Sequence, residues 1–387
     1  MAESSYRPKK FAVIGAGPVG GTVAAFLARG GYDVTLCDIV PELLAPALEP
    51  GITLEGVDSF QARVTRTTTR VEDLINDPPD VIFITVKATA LPLIASALEG
   101  FAAEGRYVIS WQNGIDTELE LAQHLGARAV MRGVVNFGCV PLHPGHIRLA
   151  FHHRPHYLQE LAPESREAAI GICQVLTACG LDTQHCDQIT NMVWRKTVLN
   201  ACMNPICAVT GMTMVEIIND AITFNLVDAL IKEGIAVART NEFSLGSNYY
   251  PYAIGYIKNA GNHKPSMLQD VEAGRPIELE ALLVQGDRTR LGQGQESHRG
   301  RFYLVGYVGD PVLLRPPGEP QASHLLDHRK VIIVDRQRCR GLVGRKRCGC
   351  QSERGKNGQT RYSDLHSISP SRPSSPRRRG MTATSSS

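Results

Sequence analysis

The sequence predicts an α/β fold in which a doubly wound parallel sheet is followed by an all-helical domain and a tail with little regular structure. A glycine-rich turn lies between a strand pattern and a helix pattern near the N-terminus, and further apolar strand patterns alternate with helical or loop segments. A long helix pattern begins near residue 190, whereas the C-terminal part sustains no period of 2 or 3.6. We therefore divide the chain into residues 1–187, 188–283 and 284–387.

The composition is typical of a water-soluble protein. The chain has 387 residues, of which 43% are hydrophobic and 20% are charged. No run approaches the roughly 18 apolar residues that a spanning helix needs, and the N-terminus MAESSYRPKK lacks the apolar core of a signal peptide. The ten cysteines are scattered among apolar positions, as reduced thiols are. We therefore expect a cytoplasmic protein.

The first motif is a glycine-rich turn between a strand and a helix. An apolar run from Lys10 to Ile14 leads into GAGPVG, and a helix pattern follows from Val19 to Arg29. This is the Rossmann fingerprint in its proper context, with glycines for the tight turn, for approach to a pyrophosphate and for helix packing. The alternative is a glycine turn in an unrelated α/β protein. The predicted cofactor-binding residues of the motif are Gly15, Ala16, Gly17, Pro18, Val19 and Gly20.

A carboxylate follows the second predicted strand. That strand runs from Asp33 to Cys37, and Asp38 comes directly after it, about twenty residues beyond the glycines. A carboxylate at this place accepts hydrogen bonds from the adenosine ribose and repels a 2′-phosphate. The residue therefore favours NAD over NADP.

Further buried strands are predicted at Val81 to Val86, Tyr107 to Trp111 and Ala129 to Val135. Lys87 follows the first of them, and Gln112, Asn113 and Gly114 follow the second. Ligands of doubly wound sheets bind at the carboxyl ends of the strands. Lys87 and Asn113 are therefore candidate contacts for cofactor or substrate, and ordinary loop polarity is the alternative.

The long helix pattern NMVWRKTVLNACMNPICAVTG, Asn191 to Gly211, carries a polar ladder. Lys196, Asn200 and Asn204 recur every fourth residue and therefore lie on one face of an otherwise apolar helix. A lysine can protonate a developing alkoxide, and two amides can fix a polar substrate. The alternative is a surface helix with a solvent-facing lysine.

Five motifs in this order resemble the ketopantoate reductase (2-dehydropantoate 2-reductase) family. They are GAGPVG, VKA, QNG, WRKTVLNACMNP and SMLQDVEAGRPIE, and the resemblance covers Phe11 to Leu282. It implies a Rossmann domain followed by a helical domain, and NADPH-dependent reduction of 2-dehydropantoate to D-pantoate in pantothenate and coenzyme A synthesis.

The resemblance also implies roles for individual residues. Lys196 would be the general acid and Glu278 would sit beside it, although a purely structural ion pair of these two is the alternative. The implied substrate-binding residues are Asn113, Asn200, Asn204 and Ser266. The implied cofactor contacts beyond the glycine loop are Lys87, Asn113, Cys139 and Glu278.

Two residues depart from the family pattern. Asp38 stands where many members carry a basic residue, so NADH is favoured over the family's NADPH. Met214 stands near where some members carry a third asparagine, and another 2-oxo acid is then an alternative substrate. A non-catalytic or defective dinucleotide-binding protein is the alternative of another class, because it needs only the fingerprint.

The helix pattern that begins at Glu278 breaks after Leu283. We predict that residues 284–387 are mostly disordered apart from a strand at Val331 to Val334, and one hypothesis is an out-of-frame extension of the coding sequence. Its arginines would give at most non-specific contact with nucleic acid. Its cysteines lack a well-spaced fourth ligand, so no metal site is predicted. A homodimer is one expectation for the assembly.

Overall fold

The computed structural model describes residues 4–275 and 277, and two short strand segments at 304–305 and 333–334. The predictions made for Glu278 and for most of the tail lie outside these residues. The strands are β1 Lys10–Ile14, β2 Asp33–Cys37, β3 Ile52–Gly56, β4 Phe60–Ala62, β5 Arg66–Thr68, β6 Val81–Ile84, β7 Tyr107–Ser110, β8 Val130–Val134, β9 Phe137–His143, β10 His146–His152, β11 His156–Glu160, β12 Thr183–His185, β13 Leu304–Val305 and β14 Ile333–Val334. The helices are α1 Pro18–Arg29, α2 Pro41–Leu48, α3 Asp73–Asn76, α4 Leu91–Ala97, α5 Thr117–Leu125, α6 Arg166–Cys179, α7 Ile189–Thr210, α8 Met214–Asn219, α9 Ala221–Thr240, α10 Tyr249–Asn259 and α11 Ser266–Glu272.

The main sheet has eight strands in the order β12-β11-β8-β7-β6-β1-β2-β5. Its central strands are parallel, whereas β11 pairs with β8 in antiparallel register and with β12 in parallel register. The predicted doubly wound sheet is therefore confirmed, with two reversed strands, β11 and β12, at one edge. The chain order reverses beside β1, so the ends of β1 and β6 form a crevice of the kind that binds ligands.

Helices cover both faces of this sheet because side chains of successive strand residues point to opposite sides. Phe11 and Val13 of β1 join a core with α1 and α6, whereas Ala12 and Ile14 join a core with α4 and α5. All four side chains are at most 2% exposed. The apolar run that predicted β1 thus feeds two cores at once.

A second sheet, in the order β4-β3-β10-β9, was not predicted. Residues of β10 alternate between buried and accessible positions, which is the pattern of a strand with one covered face. The covered face lies on α1, where a Cβ built on Gly21 would come within 2.6 Å of Ile147 Cδ1. This sheet therefore packs directly on the helix that follows the glycine loop.

The helical part is built around α7. This helix begins at Ile189 and ends at Thr210, close to the predicted limits, and Gly211 terminates it with φ of 73°. Trp194 is 1% exposed and stacks on Phe243, with ring centroids 4.7 Å apart. Strand β12 ends at His185, so the chain leaves the main sheet and enters α7 within a few residues.

Three further predictions concern the chain as a whole. The described cysteines are free thiols, and most of them are buried. Within the described residues, no helix combines the length and apolarity that a membrane span requires. The strand predicted at Val331 to Val334 overlaps β14, which pairs with β13 in antiparallel register.

Candidate functional site

The glycine loop has the geometry of a phosphate-binding turn. Gly15 has φ of +107°, a conformation that favours glycine, and its N–H donates to the carbonyl of Cys37 at 2.8 Å. A Cβ on Gly20 would lie 1.8 Å from the carbonyl oxygen of Gly15, so α1 reaches the loop only with glycine there. A Cβ on Gly17 would meet nothing within 4 Å. Gly17 therefore borders open space at the N-terminus of α1, where a pyrophosphate fits.

Asp38 lies at the end of β2 and closes this loop. Its Oδ2 accepts the backbone N–H of Ala16 at 2.7 Å, and its Oδ1 accepts the N–H of Val40 at 3.0 Å. The carboxylate is partly accessible, and each of its oxygens retains acceptor capacity after one hydrogen bond. The loop and this carboxylate together fit a dinucleotide that presents ribose hydroxyls.

A cleft opens where the ends of β7 and β8 meet α7. It brings together Asn113, Lys196 and Asn200 of the predicted site residues. The residues that line it are Gln112, Asn113, Gly114, Arg132, Gly133, Val134, Val135, Val193, Lys196, Thr197 and Asn200. The face of α7 that carries the polar ladder is thus directed at the sheet and not at solvent.

Lys196 is the ionisable group at the centre of this cleft. Its Nζ donates a hydrogen bond to the carbonyl oxygen of Val135. The pKa of Lys196 is lowered to about 7, mainly by burial and to a smaller extent by the nearby charge of Arg132, while Cys139 opposes the shift. An ammonium with this pKa gives up its proton near neutral pH, as a general acid must.

Arg132 is a functional residue that the sequence interpretation missed. It lies in β8 with 2% of its surface exposed, and burial lowers the pKa of its guanidinium. Its Nε lies 3.3 Å from Glu118 Oε2. Its terminal nitrogens donate to groups of the loop that follows β7, namely the carbonyls of Ser110, Gln112 and Gly114 and the hydroxyls of Ser110 and Thr117. Arg132 therefore shapes the loop that carries Asn113.

The same loop contains a backbone conformation that is rare for residues other than glycine. Asp116 has φ of 61° and immediately precedes α5. The pKa of Asp116 is raised to about 6, mainly by burial and to a smaller extent by the charge of Glu118, while Arg132 opposes the shift. An arginine in the middle of the apolar strand VMRGV was the available signal for this cluster, since a buried arginine requires partners.

Among the buried side-chain atoms that have no hydrogen-bond partner in the described residues, two belong to Gln112 and Asn204. Gln112 accepts a hydrogen bond from Ser110 Oγ at 2.8 Å, but its Nε2 donor is unpaired. Asn204 lies one turn beyond Asn200 on the same face of α7, is 2% exposed, and its Oδ1 acceptor is unpaired. An unpaired buried donor and acceptor are the features expected of a site for a polar ligand.

Asn204 is not among the residues that line the cleft, and neither are Lys87, Ser266 and Cys139. Lys87 Nζ is 2.8 Å from Asp270 Oδ2 on α11, and that carboxylate also accepts from Arg275 Nε at 2.8 Å. Ser266 is exposed at the start of α11. Cys139 is buried in β9, and burial raises the pKa of its thiol to about 12 against the opposing charge of Lys196.

These placements leave several roles as predictions. Lys87 forms an ion pair with Asp270, and a cofactor contact for that lysine stays a prediction. The same holds for the backbone contact of Cys139 and for substrate binding by Ser266. Glu278 is outside the described residues, so its pairing with Lys196 also stays a prediction.

Two family descriptions match the chain. Residues 11–163 match "Ketopantoate reductase PanE/ApbA", and residues 188–296 match "Ketopantoate reductase PanE/ApbA C terminal". Together they cover the glycine loop, the cleft and the long helix α7.

Named relatives and solved structures agree with these matches. The 2-dehydropantoate 2-reductase of Archaeoglobus fulgidus is 29% identical over 278 residues, which cover 71% of this chain and 89% of the relative. The enzyme of the same name from Mesorhizobium japonicum is 28% identical over 298 residues and covers the same shares.

Among solved structures, 2-dehydropantoate 2-reductase from Geobacter metallireducens has a TM-score of 0.65 at 24% identity and covers 72% of this chain and 92% of its own. D-mandelate dehydrogenase with NADH and anilino(oxo)acetate also has a TM-score of 0.65, at 23% identity, with 72% and 90% covered. These two likenesses concern the fold. The two family matches confirm the predicted resemblance: the chain belongs to the ketopantoate reductase family.

Proposed function

We propose that this protein reduces 2-dehydropantoate to D-pantoate with a reduced nicotinamide cofactor, and that it favours NADH. The reaction would supply pantoate for pantothenate and coenzyme A synthesis. The observation that carries the proposal is Lys196, whose ammonium faces a cleft at the ends of the sheet strands with its pKa lowered to about 7. Relatives with the reductase name support the substrate.

The nicotinamide supplies a hydride to the substrate carbonyl carbon when it is bound. That addition places negative charge on the carbonyl oxygen, and a cationic acid directed at this oxygen lowers the barrier through charge and proton transfer together. Lys196 donates the proton from Nζ and becomes neutral. Glu278, by the family resemblance, would hold the ammonium beside it.

Polar residues in the cleft, and Asn204 one turn beyond Asn200, would bind the substrate. The unpaired Nε2 of Gln112 is a donor suited to a carboxylate or a carbonyl, and the unpaired Oδ1 of Asn204 is an acceptor suited to a hydroxyl. Asn113 and Asn200 line the same cleft. Ser266 would join them from α11.

The cofactor would lie along the glycine loop. The N-terminus of α1 and Gly17 would receive the pyrophosphate, and Asp38 would accept hydrogen bonds from the adenosine ribose. Because Asp38 is a carboxylate, it would repel the 2′-phosphate of NADPH. The proposed NADH preference rests on this residue.

A second candidate is the reduction of a different 2-oxo acid. Val134, Val135 and Val193 line the cleft, and an apolar wall distinguishes substituents of similar size by only about 1–3 kcal/mol. The carboxylate and the adjacent carbonyl would be recognised in the same way for either substrate.

The test is the oxidation of NADH, and separately of NADPH, by the purified 387-residue chain with 2-dehydropantoate and a panel of 2-oxo acids. We expect kcat/KM to be highest for 2-dehydropantoate with NADH, and to fall about 10³-fold in Lys196→Ala while NADH affinity is kept. Higher kcat/KM for another 2-oxo acid would favour the second candidate. Binding of NADH without turnover of any acid would contradict both.

A further inference from the structure

A hydrogen-bonded chain links the surface of the protein to the partner of Lys196. The N–H of Asn136 lies 3.0 Å from His156 Nδ1, and His156 Nε2 lies 3.1 Å from His152 Nε2. His152 Nδ1 lies 3.0 Å from Asp58 Oδ2. The N–H of Asn136 belongs to the same peptide unit as the Val135 carbonyl, which accepts from Lys196.

The proton positions in this chain follow from the chemistry of its two ends. A backbone N–H only donates, so Nδ1 of His156 accepts from Asn136 and carries no proton. Burial, and to a smaller extent the positive charges of Lys196 and Arg154, lowers the pKa of His156 to about 3, so the ring is neutral and its proton is on Nε2. His152 must therefore accept at Nε2 and donate from Nδ1 to the carboxylate of Asp58.

Each hydrogen bond in the chain consequently points in the same direction, from Lys196 to Asp58. Bonds aligned in this way polarise one another, and a carboxylate at the accepting end strengthens every acceptor before it. The acceptor at the Lys196 end of the chain is the carbonyl of Val135. Its oxygen thus carries more negative charge towards the ammonium of Lys196 than an isolated carbonyl would.

The surroundings preserve this polarisation. His156 is fully buried, and the ring of Phe137 contacts it edge-on with centroids 5.5 Å apart. The His152 side chain is 4% exposed, and Asp58, at the outer end, is 27% exposed. The two imidazole planes are within 8° of parallel, which suits a bond between ring nitrogens. Water is therefore kept from the inner links, where electrostatic effects are strongest.

Asn136 is also held by contacts outside this peptide unit. Asn136 donates from Nδ2 to the carbonyl of Pro155 at 2.6 Å and accepts the N–H of His153 at 2.8 Å. The loop between β8 and β9 is thus fixed to the β10–β11 connection. Of these contacts of Asn136, the one with His156 leads on through His152 to the carboxylate of Asp58.

We propose that His156, His152 and Asp58 are positioning residues for Lys196, which hold the Val135–Asn136 peptide and, through its carbonyl, the ammonium in the cleft. The proposal rests on the proposed role of Lys196 as the general acid. Loss of the chain leaves the dinucleotide loop untouched, so it acts on kcat and on the pH dependence and not on cofactor affinity.

The experiment compares four variants of the full-length protein. His156→Phe removes the acceptor for Asn136, whereas His156→Asn places an amide oxygen near the position of Nδ1. Asp58→Asn removes the charge but keeps an acceptor for His152. Glu55→Gln is the matched control, because Glu55 is a carboxylate of the same sheet that pairs with His146 and Arg148 and takes no part in the chain.

We expect kcat for reduction to fall about tenfold in His156→Phe and to stay within about threefold in His156→Asn, with KM for the dinucleotide unchanged. The basic limb of the pH profile should move to lower pH by roughly 0.5 to 1 unit in His156→Phe and by less in Asp58→Asn. The described titratable groups that face Lys196, namely Arg132, Cys139 and His156, are otherwise the same in each comparison.

Lys196 is also titrated without turnover, by competitive labelling with acetic anhydride and mass spectrometry of the peptide that contains it. A lower Lys196 pKa in His156→Phe and Asp58→Asn, with an unchanged Lys196 pKa in Glu55→Gln, supports the positioning role of the hydrogen-bonded chain. This result would hold even if 2-dehydropantoate is not the substrate. Equal values in wild type and a folded His156→Phe protein overturn it. If His156→Phe does not fold, Asp58→Asn against Glu55→Gln decides, and equal Lys196 pKa values in these two refute the proposal.

Discussion

The glycine loop and the Lys196 cleft are built in different ways. The loop is six consecutive residues whose geometry follows from glycine backbone and the approach of Gly20 to the carbonyl of Gly15. The cleft gathers residues from the loop after β7, from β8 and from α7. The first is a local device that sequence spacing reveals, and the second depends on buried side chains that meet only in the fold. Substitutions should therefore separate the two.

We expect the largest effect from replacing Arg132. The cleft depends on this residue, whereas the glycine loop does not. Arg132→Met leaves Glu118 as a buried charge without its partner and removes the donors to the carbonyls of the loop after β7. We expect the free energy of unfolding to fall by about 3–5 kcal/mol, measured by urea denaturation. Turnover should fall with it.

The control for this variant is Arg148→Met. Arg148 pairs with Glu55 on the surface, with 55% of its side chain exposed, so its loss should cost under about 1 kcal/mol. A similar small cost for Arg132→Met would contradict the role given to the buried arginine.

The glycine loop should respond to alanine in a position-dependent way. Gly20→Ala places a Cβ 1.8 Å from the Gly15 carbonyl and must displace α1 or the loop, so NADH affinity should fall by more than about 100-fold. Gly17→Ala meets no protein atom and should leave stability unchanged, but its methyl group should weaken NADH binding by about tenfold. Both are measured by fluorescence titration.

Gly255→Ala is the control for this pair, since a Cβ there also meets nothing within 4 Å and the residue lies in α10, outside the loop. Its NADH affinity should equal that of the wild type. Equal affinities in all three variants would remove the loop from the cofactor site.

The buried side chain of His156 predicts that the folded protein is sensitive to acid. The pKa of His156 is about 3 in the folded protein against a usual 6.5, so the unfolded state binds a proton that the native state does not. Stability contributed by this group is present above pH 6.5 and is lost as the pH falls towards 3, by about 1.4 kcal/mol per pH unit.

Thermal unfolding followed by circular dichroism at pH 7 and pH 5 measures this effect. The midpoint should fall more in the wild type than in His156→Asn, which carries no titratable group at that position. Equal decreases of the unfolding midpoint in the two proteins would show that His156 does not cause the loss of stability at low pH.

The smallest expected effect concerns the choice of cofactor. Asp38→Asn removes the negative charge that would repel a 2′-phosphate but keeps an acceptor for the Ala16 N–H. We expect the ratio of NADH to NADPH kcat/KM to fall by about tenfold. An unchanged ratio would remove Asp38 as the determinant of the preference.

Sequence reasoning was most accurate where local constraints dominate. The patterns at Lys10 to Ile14 and Asp33 to Cys37 gave the limits of β1 and β2, and the helix pattern around Lys196 lay within about two residues of α7. Each of these elements carries a period that its own residues impose. The ladder of Lys196 and the two asparagines followed from that period as well.

The features that the sequence did not predict depend on residues that are far apart in the chain. The second sheet pairs β3 with β10 across about ninety residues of chain, so neither short strand identifies the other. The pairing of Lys87 with Asp270 spans a still longer separation. The buried Arg132 and the two linked histidines are visible in the sequence as residue types. The loops that Arg132 and His156 contact, after β7 and between β8 and β9, are identified only in the folded protein.

The most direct test of Lys196 as the general acid is the pH dependence of the single-turnover rate constant, because product release does not contribute to it. With 2-dehydropantoate and NADH, we predict that the rate falls as the pH rises through about 7, because Lys196 loses the proton that it donates. A constant rate from about pH 6 to pH 9, or a decline only near the ordinary lysine value of 10.5, would contradict the assignment of Lys196 as the general acid.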